Sequence, residues 1–415
     1  MHVFDPGLGP SRGHHLNFDL AIVSEVERRT DFESVVWGRL DLSGEARRRL
    51  PVRAFFVKGA RWHWEEGRAG HRGDPEAAGA VSRERELRKA RKSRAWNEFH
   101  RLRLCALAPG VVEPGDVVFF HSFLRWAAAG IAGWLRDPSA AESIAVIFFM
   151  FTDYLDSSGG CRTEYQQLFD ALAARSSERL FLIAETREIR DDLVRLSGNR
   201  LAIAIAPHIT AGATLEAMRK GRLAADPGIG FCVGYAGQNR LDRGSHFIPD
   251  VVERVAARAP RAVRFRVHFE DPRSQPGEAR RLATMRSVDF RSGRLPEEDF
   301  YRFLAGMDIV LLPFEPGPRT HRRGSAMFWE SLALGLVMVL PQGSHLEREA
   351  GLWGGGFTTY EKWDPEAIAD AALAALEAFE LLDPLARAAG ARWSEERRFS
   401  TFMDLVLGPA ERASG

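Results

Sequence analysis

The residues best suited to chemistry lie in a basic loop that runs into a predicted helix. Before the loop, Asp308–Phe314 is a short apolar run closed by proline and glycine, as expected for a buried strand of a parallel sheet. The loop holds four basic side chains: Arg319, His321, Arg322 and Arg323. The next helix is predicted to begin at Gly324 and Ser325, and Glu330 follows just over one turn into it.

This arrangement suits a phosphate. The start of a helix leaves backbone N–H groups unpaired and carries the positive end of the helix dipole, and nearby guanidinium groups add positive charge. Glu330 is within reach of a ligand held there, so the segment favours a molecule with phosphates at one end and a hydroxylated ring at the other. That molecule would be a nucleotide or a nucleotide sugar. The alternative is a basic loop and a helix face that simply meet solvent.

A second loop with glycine and arginine is predicted at the same edge of the same sheet. A strand ends at Gly237. The loop after it contains Arg240 and Arg243, and a helix begins after Gly244. Glycine lets the backbone turn sharply, and an arginine can meet a phosphate with two parallel donors. Alone this could be an ordinary loop whose arginines face water, but its pairing with the loop before Ser325 favours an anion site.

Length and composition restrict the class of protein. The chain has 415 residues, enough for two domains with full cores, and its 27% charged residues are ordinary for a globular enzyme. A net charge of +1 argues against a general attraction to nucleic acid. Three separated cysteines argue against a disulfide framework or a zinc site and fit a reducing cytoplasm: Cys105, Cys161 and Cys232. We find neither a signal peptide nor an apolar run long enough to span a membrane.

Short apolar runs alternate with helical stretches through the chain, which is the pattern of βα units on a parallel sheet. The pattern restarts after Pro207. The predicted fold is therefore α/β, with two Rossmann-like domains over residues 1–207 and 208–385, whose parallel sheets face a central cleft. A last helix near Ser394–Leu407, within 386–415, would come after the second sheet and could pack across the domain boundary. Ligands of such sheets bind beyond the carboxyl ends of the strands, so the cleft is the expected site.

The second domain resembles the nucleotide-sugar domain of GT-B glycosyltransferases, in particular glycosyltransferase family 4, also called group 1. Members typically carry G-R-L-x-x-x-K-G after the first strand of this domain. The chain has Gly237-Gln238-Asn239-Arg240-Leu241-Asp242-Arg243-Gly244 at that spacing. Further on, Gly293-Arg294-Leu295-Pro296 and Glu330-Ser331-Leu332-Ala333-Leu334-Gly335 match later motifs. The resemblance covers roughly residues 230–380 well and the first domain only loosely.

The resemblance implies roles for individual residues. Arg243 corresponds to the basic residue that grips the donor diphosphate, and Glu330 to the glutamate that binds the ribose hydroxyls. The chain departs from the family at two positions. Gln238 stands where the family has its other basic residue, so Arg240 is a candidate substitute. Arg322 replaces the glutamate that usually contacts the donor sugar, which leaves the donor and the retaining mechanism open.

In the first domain the candidate residues follow three predicted strands. A glycine-rich loop ending at Gly13 and His14 resembles the GT-B loop that faces donor phosphates and acceptor; a flexible terminal loop is the alternative. His121 ends a second strand and Asp153 follows a third, at a position that is often histidine in the family. Either could act as general base toward an acceptor hydroxyl, with its pKa tuned by its surroundings, or could merely cap a loop. Glu185, which ends the next strand, is a weaker candidate.

No metal or other cofactor is expected. Asp153-Tyr154-Leu155-Asp156 has the wrong spacing for the metal-binding acidic motif of the other glycosyltransferase fold. His14, His15 and Asp19 could be arranged as metal ligands. The resemblance argues against a metal there, because GT-B enzymes do not need one.

Residues 82–104 form a strongly basic stretch with interspersed aromatic and leucine side chains. It could lie on an anionic membrane surface or hold an acidic acceptor; a solvated helix packed on its own domain is the commoner outcome. The predicted location is cytoplasmic, with peripheral contact at the inner membrane face as the variant that this stretch raises.

Together these features predict a metal-independent glycosyltransferase that moves a sugar from a nucleotide-sugar donor to an acceptor hydroxyl, in bacterial-type glycan or glycoconjugate synthesis. The acceptor could be a saccharide, a lipid-linked molecule or a protein. One alternative is a sugar-nucleotide epimerase on the same fold, which would turn over donor alone. Another is a non-catalytic relative that binds a nucleotide sugar or a partner protein.

Overall fold

The computed structural model describes most of the chain. The residues outside the description are 10–13, 57–110, 122, 124, 151, 156–158, 176, 207–217, 219–230, 318–321, 323, 398 and 415. The basic stretch 82–104 lies outside the described residues, so its predicted surface role stays a prediction. By its internal contacts the chain divides into two units, Met1–Pro207 with Ser400–Gly415, and His208–Phe399.

The first unit contains a sheet of seven parallel strands in the spatial order β3-β2-β1-β4-β5-β6-β7. The strands are β1 His2–Phe4, β2 Val35–Arg39, β3 Val52–Phe56, β4 Val117–Phe120, β5 Ile144–Phe149, β6 Leu180–Ala184 and β7 Ala204–Ile205. Every residue of β4 and β5 is buried. Their unbroken apolar sequences follow from this position, because helices cover both faces of a parallel sheet.

Helices complete the first unit. They are α1 His14–Arg29, α2 Gly44–Arg49, α3 Arg125–Leu135, α4 Thr163–Ala173, α5 Arg187–Leu196 and, from the end of the chain, α13 Phe399–Ser414. Side chains of α3 and α4 join the central strands in one core, in which Trp134, Tyr165 and Phe169 are fully buried.

The second unit has six parallel strands in the order β10-β9-β8-β11-β12-β13. They are β8 Phe231–Tyr235, β9 Val263–Phe269, β10 Val288–Ser292, β11 Ile309–Leu311, β12 Val337–Pro341 and β13 Phe357–Tyr360. Its helices are α6 Ile248–Arg258, α7 Pro276–Thr284, α8 Glu297–Ala305, α9 Ala326–Ala333, α10 His345–Trp353, α11 Pro365–Glu377 and α12 Phe379–Glu396. The prediction of two parallel α/β sheets is confirmed.

The C-terminal segment 386–415 belongs to both units. Helix α12 ends at Glu396 and α13 begins at Phe399, whereas the sequence predicted one helix near Ser394–Leu407. Phe402 of α13 packs against Phe18 of α1 and Phe148 of β5, with ring centroids 5.5 and 5.7 Å apart. Phe402 of α13 therefore lies in the core of the first unit.

Each sheet has one point at which the strand order reverses. In the first unit β1 lies between β2 and β4, and in the second β8 lies between β9 and β11. The loops after β1 and β4, or after β8 and β11, leave toward opposite sides of the sheet, and a crevice opens between them. These two crevices are where a ligand of each sheet is expected to bind.

Two stacked tryptophans hold α12 against α9, the helix that follows the basic loop. Trp393 is fully buried, and its ring lies 6.0 Å from that of Trp329 at an interplanar angle of 16°. We expect Trp393→Ala to lower the free energy of unfolding of the second unit by about 3–5 kcal/mol, because an aromatic-sized cavity opens there. Denaturant unfolding followed by tryptophan fluorescence and circular dichroism would measure the loss.

Trp393→Phe is the control. Among the described residues the Trp393 indole N–H has no hydrogen-bond partner, so phenylalanine removes little besides ring area. We expect a loss well below that of the alanine variant, about 1–2 kcal/mol. Equal losses in the two variants would contradict the packing role.

Candidate functional site

The loop after β8 turns at two glycines. Gly237 has φ of 109° and Gly244 has φ of 62°, both in the positive-φ region that residues with a Cβ rarely adopt. Between them, Leu241–Arg243 forms a short 3-10 turn. At Gly237 a methyl group would lie 3.5 Å from Cγ of Met327, so this turn packs directly against the first turn of α9.

A buried asparagine fixes the middle of this loop to the loop after β9. The Asn239 amide donates to the carbonyl oxygen of Asp271 and to Oγ of Ser274, both at 2.7 Å, and its Oδ1 accepts from the Asp271 N–H at 2.9 Å. Nε2 of Gln275 donates to Oγ of Ser245 at 2.6 Å, and that hydroxyl donates to the Arg240 carbonyl at 2.8 Å. The loop is thereby held in one shape.

The two predicted arginines of this loop have different surroundings. Arg240 forms a bidentate ion pair with Asp242, in which Nε donates to Oδ1 at 2.9 Å. The Arg243 guanidinium carbon lies 5.3 Å from the ring centroid of Phe314, over the loop that follows β11. Arg243 therefore sits between the two loops of the crevice, and Arg240 already neutralises a carboxylate of its own loop.

The loop after β11 is fixed by hydrogen bonds from two aromatic side chains at and just after the end of β13. The Tyr360 hydroxyl donates to the carbonyls of Leu312 and Phe314, at 3.2 and 2.9 Å, and the Trp363 indole donates to the Pro313 carbonyl at 2.9 Å. The same Pro313 carbonyl approaches Gly244 so closely that a methyl group there would lie 2.2 Å away. The two loops thus meet across the β8/β11 reversal point.

At the start of α9 a serine hydroxyl is buried without a partner. Ser325 is 4% exposed, its side chain makes no capping hydrogen bond, and among the described residues its Oγ has no partner of any kind. Serine at this position normally caps the helix, and a buried hydroxyl left unpaired is costly. The hydroxyl and the first N–H groups of α9 are suited to a ligand with acceptor oxygens.

Glu330 lies on the one side of α9 that is not fully buried. Within Ala326–Ala333 only Ala326 and Glu330 are partly exposed, and they lie four residues apart on the same face. Side chains of a helix lean toward its N-terminus, so the Glu330 carboxylate extends along this face toward the helix start. This position suits a contact with the ring of a ligand whose phosphates occupy the helix start.

The structure thus brings several predicted residues of the second unit together: Gly237, Arg243, Gly244, Ser325 and Glu330. Gly324 is partly exposed directly before Ser325, and Arg322 is a partly exposed turn residue two positions earlier. The other basic residues of this loop lie outside the described residues: Arg319, His321 and Arg323. The nucleotide contacts assigned to these residues stay predictions.

The predicted acceptor-side residues are placed separately in the first unit. Gly13 lies outside the described residues, and His14 begins α1. The Tyr165 hydroxyl donates to Oδ1 of Asp153 at 2.6 Å and so orients this partly exposed carboxylate. Burial, together with the Asp153 charge, raises the pKa of Tyr165 well above its usual value, so this hydroxyl stays protonated and remains a donor.

His121 belongs to a buried cluster at the β1/β4 reversal point. Its Nδ1 lies 3.3 Å from Oδ2 of Asp5, and Nδ1 of His15 lies 2.8 Å from the same oxygen. His121 is fully buried, and burial lowers its pKa below the usual histidine value. A direct contact of His121 with a substrate would need this burial to be relieved, and its predicted role as general base stays a prediction.

Two sets of residues with a positioning role were missed by the sequence reasoning. Asn239 and Gln275 fix the shape of the loop after β8. Their role could be recognised only in the structure, where both side chains are buried. Asp5 was not among the predicted site residues, although an aspartate after β1 and a histidine after β4 become neighbours as soon as those strands pair. Strand order is the signal that would have found the second set.

Comparisons with known proteins find similar folds but no similar sequences. No protein-family model matches the chain, and no curated protein matches it in sequence. Among solved structures it resembles HepE of Anabaena in complex with UDP, with a TM-score of 0.63 at 13% identity over 100% of this chain and 98% of HepE. Sucrose-phosphate synthase of Thermosynechococcus elongatus gives a TM-score of 0.63 at 10% identity, again over 100% and 98%.

A third likeness is α,α-trehalose 6-phosphate synthase of Burkholderia multivorans, with a TM-score of 0.63 at 14% identity over 100% of this chain and 98% of that one. WaaG, a glycosyltransferase of lipopolysaccharide biosynthesis, has a TM-score of 0.55. Identities this low carry the fold and leave the substrate open. With its two parallel sheets and their helices, the chain has the GT-B fold of these glycosyltransferases.

Proposed function

We propose that this protein is a glycosyltransferase that moves a sugar, a hexose or a related one, from a nucleotide-sugar donor to an acceptor hydroxyl. The observation that carries the proposal is the start of α9, where the buried Ser325 hydroxyl lacks a partner among the described residues and the turn at Gly237 packs against the same helical turn. A sugar nucleotide offers both a diphosphate for the helix start and a ribose for Glu330.

The chemistry of such a donor fits the charges of this crevice. When the sugar leaves, negative charge develops on the departing diphosphate, and preorganised donors stabilise that charge. The α9 N-terminus, the Ser325 hydroxyl and the Arg243 guanidinium would supply it with positive charge and hydrogen bonds. On this proposal, transfer needs no metal on the diphosphate.

The first unit would present the acceptor. The structural support is the carboxylate of Asp153. This residue follows strand β5, and its carboxylate accepts a hydrogen bond from the Tyr165 hydroxyl. A carboxylate held in position in this way is a chemically suitable base toward an acceptor hydroxyl. His14 and His121 are the alternative bases.

Solved structures with a similar fold suggest which donors to test. HepE has been crystallised with UDP and with UDP-glucose, and starch synthase IV of Arabidopsis thaliana with ADP and acarbose. We place the reaction in bacterial-type glycan or glycoconjugate synthesis in the cytoplasm. None of the described helices is long and apolar enough to cross a membrane.

The test is a calorimetric titration of the purified chain with UDP, GDP, ADP, CMP and dTDP. We expect one nucleoside diphosphate to bind clearly better than the other nucleotides. That result would reduce the donor search to the sugars of one base. If none of the five binds, the proposed function is wrong and only the fold remains.

Glu330→Gln is the variant that tests the ribose contact. We expect the preferred nucleotide to bind about 10- to 100-fold more weakly, since a hydrogen bond to a charged group contributes about 1.5–3 kcal/mol. Glu298→Gln is the matched control, because Glu298 is an exposed residue of α8 in the same unit that pairs with Arg302. Equal effects of the two substitutions would speak against a ribose contact by Glu330.

The alternatives differ in what they turn over. An epimerase would convert the sugar of the donor without any acceptor, which nuclear magnetic resonance of the donor alone would show. A non-catalytic relative would bind the nucleotide but release none of it from the nucleotide sugar with any acceptor offered. A transferase releases the nucleotide faster when its acceptor is present.

A further inference from the structure

We propose that Asp5, Asp19, His15 and His121 bind one divalent transition-metal ion, with zinc the best match, at the β1/β4 reversal point of the first unit. The ion would serve the structure by fastening β1, α1 and β4 to one another. This proposal concerns residues remote in sequence from the donor loops, and it does not depend on the donor site. It removes His121 from the alternative bases, because a metal-bound imidazole cannot accept a proton.

The geometry of three of these residues already resembles a ligand set. Oδ2 of Asp5 lies 2.8 Å from Nδ1 of His15 and 3.3 Å from Nδ1 of His121. One ligand atom from each of the three residues lies within 4.8 Å of the other two. Ligands about 2.0–2.1 Å from a tetrahedral zinc ion are about 3.3 Å from one another, so small shifts would seat an ion between them.

The second observation is a buried carboxylate without a partner. Asp19 is fully buried, and neither of its oxygens has a hydrogen-bond partner among the described residues. Its carboxylate interacts with that of Asp5, so two buried acidic groups lie close together. A fully buried carboxylate is costly unless it is paired, protonated or bound to a metal.

The charge balance of the cluster points the same way. In the described part of the chain the ion pairs of Asp5 go to His15 and His121, and no arginine or lysine pairs with Asp5 or Asp19. Two buried carboxylates and two neutral imidazoles carry two negative charges, which one divalent cation cancels. Metal-bound side chains must be deprotonated, so an ion here would bind Asp19 as a carboxylate.

Ligand chemistry decides which ion fits. Two imidazole nitrogens and two carboxylate oxygens suit zinc and its first-row neighbours, whereas calcium and magnesium prefer sites built from oxygen. Aromatic rings close the site on one side, with Phe18 and Phe148 stacked 4.5 and 6.2 Å from the His121 ring. His15, whose side chain is 19% exposed, marks the way in. With Asp19 as the fourth ligand, the ion would have the closed set of four protein ligands that is typical of a structural site.

The metal-free alternative is a hydrogen-bonded cluster. A protonated Asp19 would share its proton with Asp5, and Asp5 would accept a hydrogen bond from each imidazole. The two imidazoles lower the pKa of Asp5 below its usual value against the effect of burial, so Asp5 would be the ionised partner. The two states differ in metal content and in the effect of a chelator, which makes them experimentally distinct.

The test measures metal directly. The full chain, freed of any histidine tag and purified without chelator, would be analysed by inductively coupled plasma mass spectrometry. We expect about one zinc or related ion per chain, and the visible d–d absorption of a tetrahedral site when Co²⁺ replaces it. Removal of the ion by a chelator should lower the melting temperature of the first unit by about 5–10 °C, because metal binding favours the folded state.

Variants locate the ion. His121→Gln and Asp19→Asn should each reduce the metal content at least tenfold. His2→Gln is the matched control, because His2 also lies at β1 and also pairs with an aspartate, Asp116, at 3.3 Å. This substitution should leave the metal content unchanged. Wild-type protein that is folded by circular dichroism, contains no metal and gives no Co²⁺ absorption would overturn the proposal in favour of the proton-sharing cluster. Loss of metal in His2→Gln as well would overturn the assigned ligands.

Discussion

Replacing Arg243 by alanine is expected to lower kcat by about 100- to 1,000-fold, the range found when a single donor to a developing anion is removed. The guanidinium lies over Phe314, between the two loops that meet at the β8/β11 reversal point. A diphosphate held at the start of α9 would gain most from this charge when it leaves. The assay is nucleotide release from the preferred nucleotide sugar, with water as the acceptor until a better one is identified.

Two further variants separate charge from packing. Arg243→Lys keeps the charge but cannot bind a phosphate with two parallel donors, so we expect an intermediate loss. Arg261→Ala is the matched control, because Arg261 also stacks on a phenylalanine of the same unit, with its guanidinium carbon 5.7 Å from the ring centroid of Phe231. We expect Arg261→Ala to leave kcat unchanged.

The split between kcat and KM carries the mechanistic information. If Arg243 binds donor and transition state equally, its loss raises KM and leaves kcat unchanged; if it acts on the leaving group, kcat falls. A full kcat in Arg243→Ala would mean that other groups stabilise the diphosphate. The leaving-group role of Arg243 would then be wrong, even if nucleotide binding survives.

The sheets could be predicted from the sequence because parallel strands that are covered on both faces are short, apolar and unbroken. Val337–Pro341 shows this pattern, because its sequence VMVLP is wholly apolar and every residue of it is buried. The same reasoning overestimated the strand before it. Asp308–Phe314 was predicted, yet β11 covers only Ile309–Leu311, because beyond it the carbonyls of Leu312 and Phe314 accept from the Tyr360 hydroxyl.

Loop shape was beyond the sequence because it depends on which strands are neighbours. The order β10-β9-β8-β11 brings the loops after β8, β9 and β11 side by side. Only then can Asn239 bond to Asp271 and Pro313 approach Gly244. The motif predicted that glycines and arginines gather here, and the pairing of strands decides how they meet. In the first unit the pairing of β1 with β4 likewise creates the cluster of Asp5 and His121.

Gly244→Ala is expected to weaken nucleotide binding more than tenfold and to destabilise the second unit. Its φ of 62° costs a residue with a Cβ about 1–2 kcal/mol. In addition, the new methyl group would lie 2.2 Å from the Pro313 carbonyl oxygen. That oxygen is fixed by the Trp363 indole, so the loop bearing Arg243 must move instead. Calorimetric titration and denaturant unfolding of the same preparation would measure both effects.

Gly293→Ala separates the two causes. Gly293 has φ of 83°, and a methyl group there would meet no atom within 4 Å, so it carries the conformational cost without the collision. We expect Gly293→Ala to lose about 1–2 kcal/mol of stability and to keep its nucleotide affinity, since the loop after β8 is untouched. If both variants bind the nucleotide equally well, the close contact between the two loops has no part in shaping the donor site. If only Gly244→Ala loses affinity, the meeting of those loops is what positions Arg243.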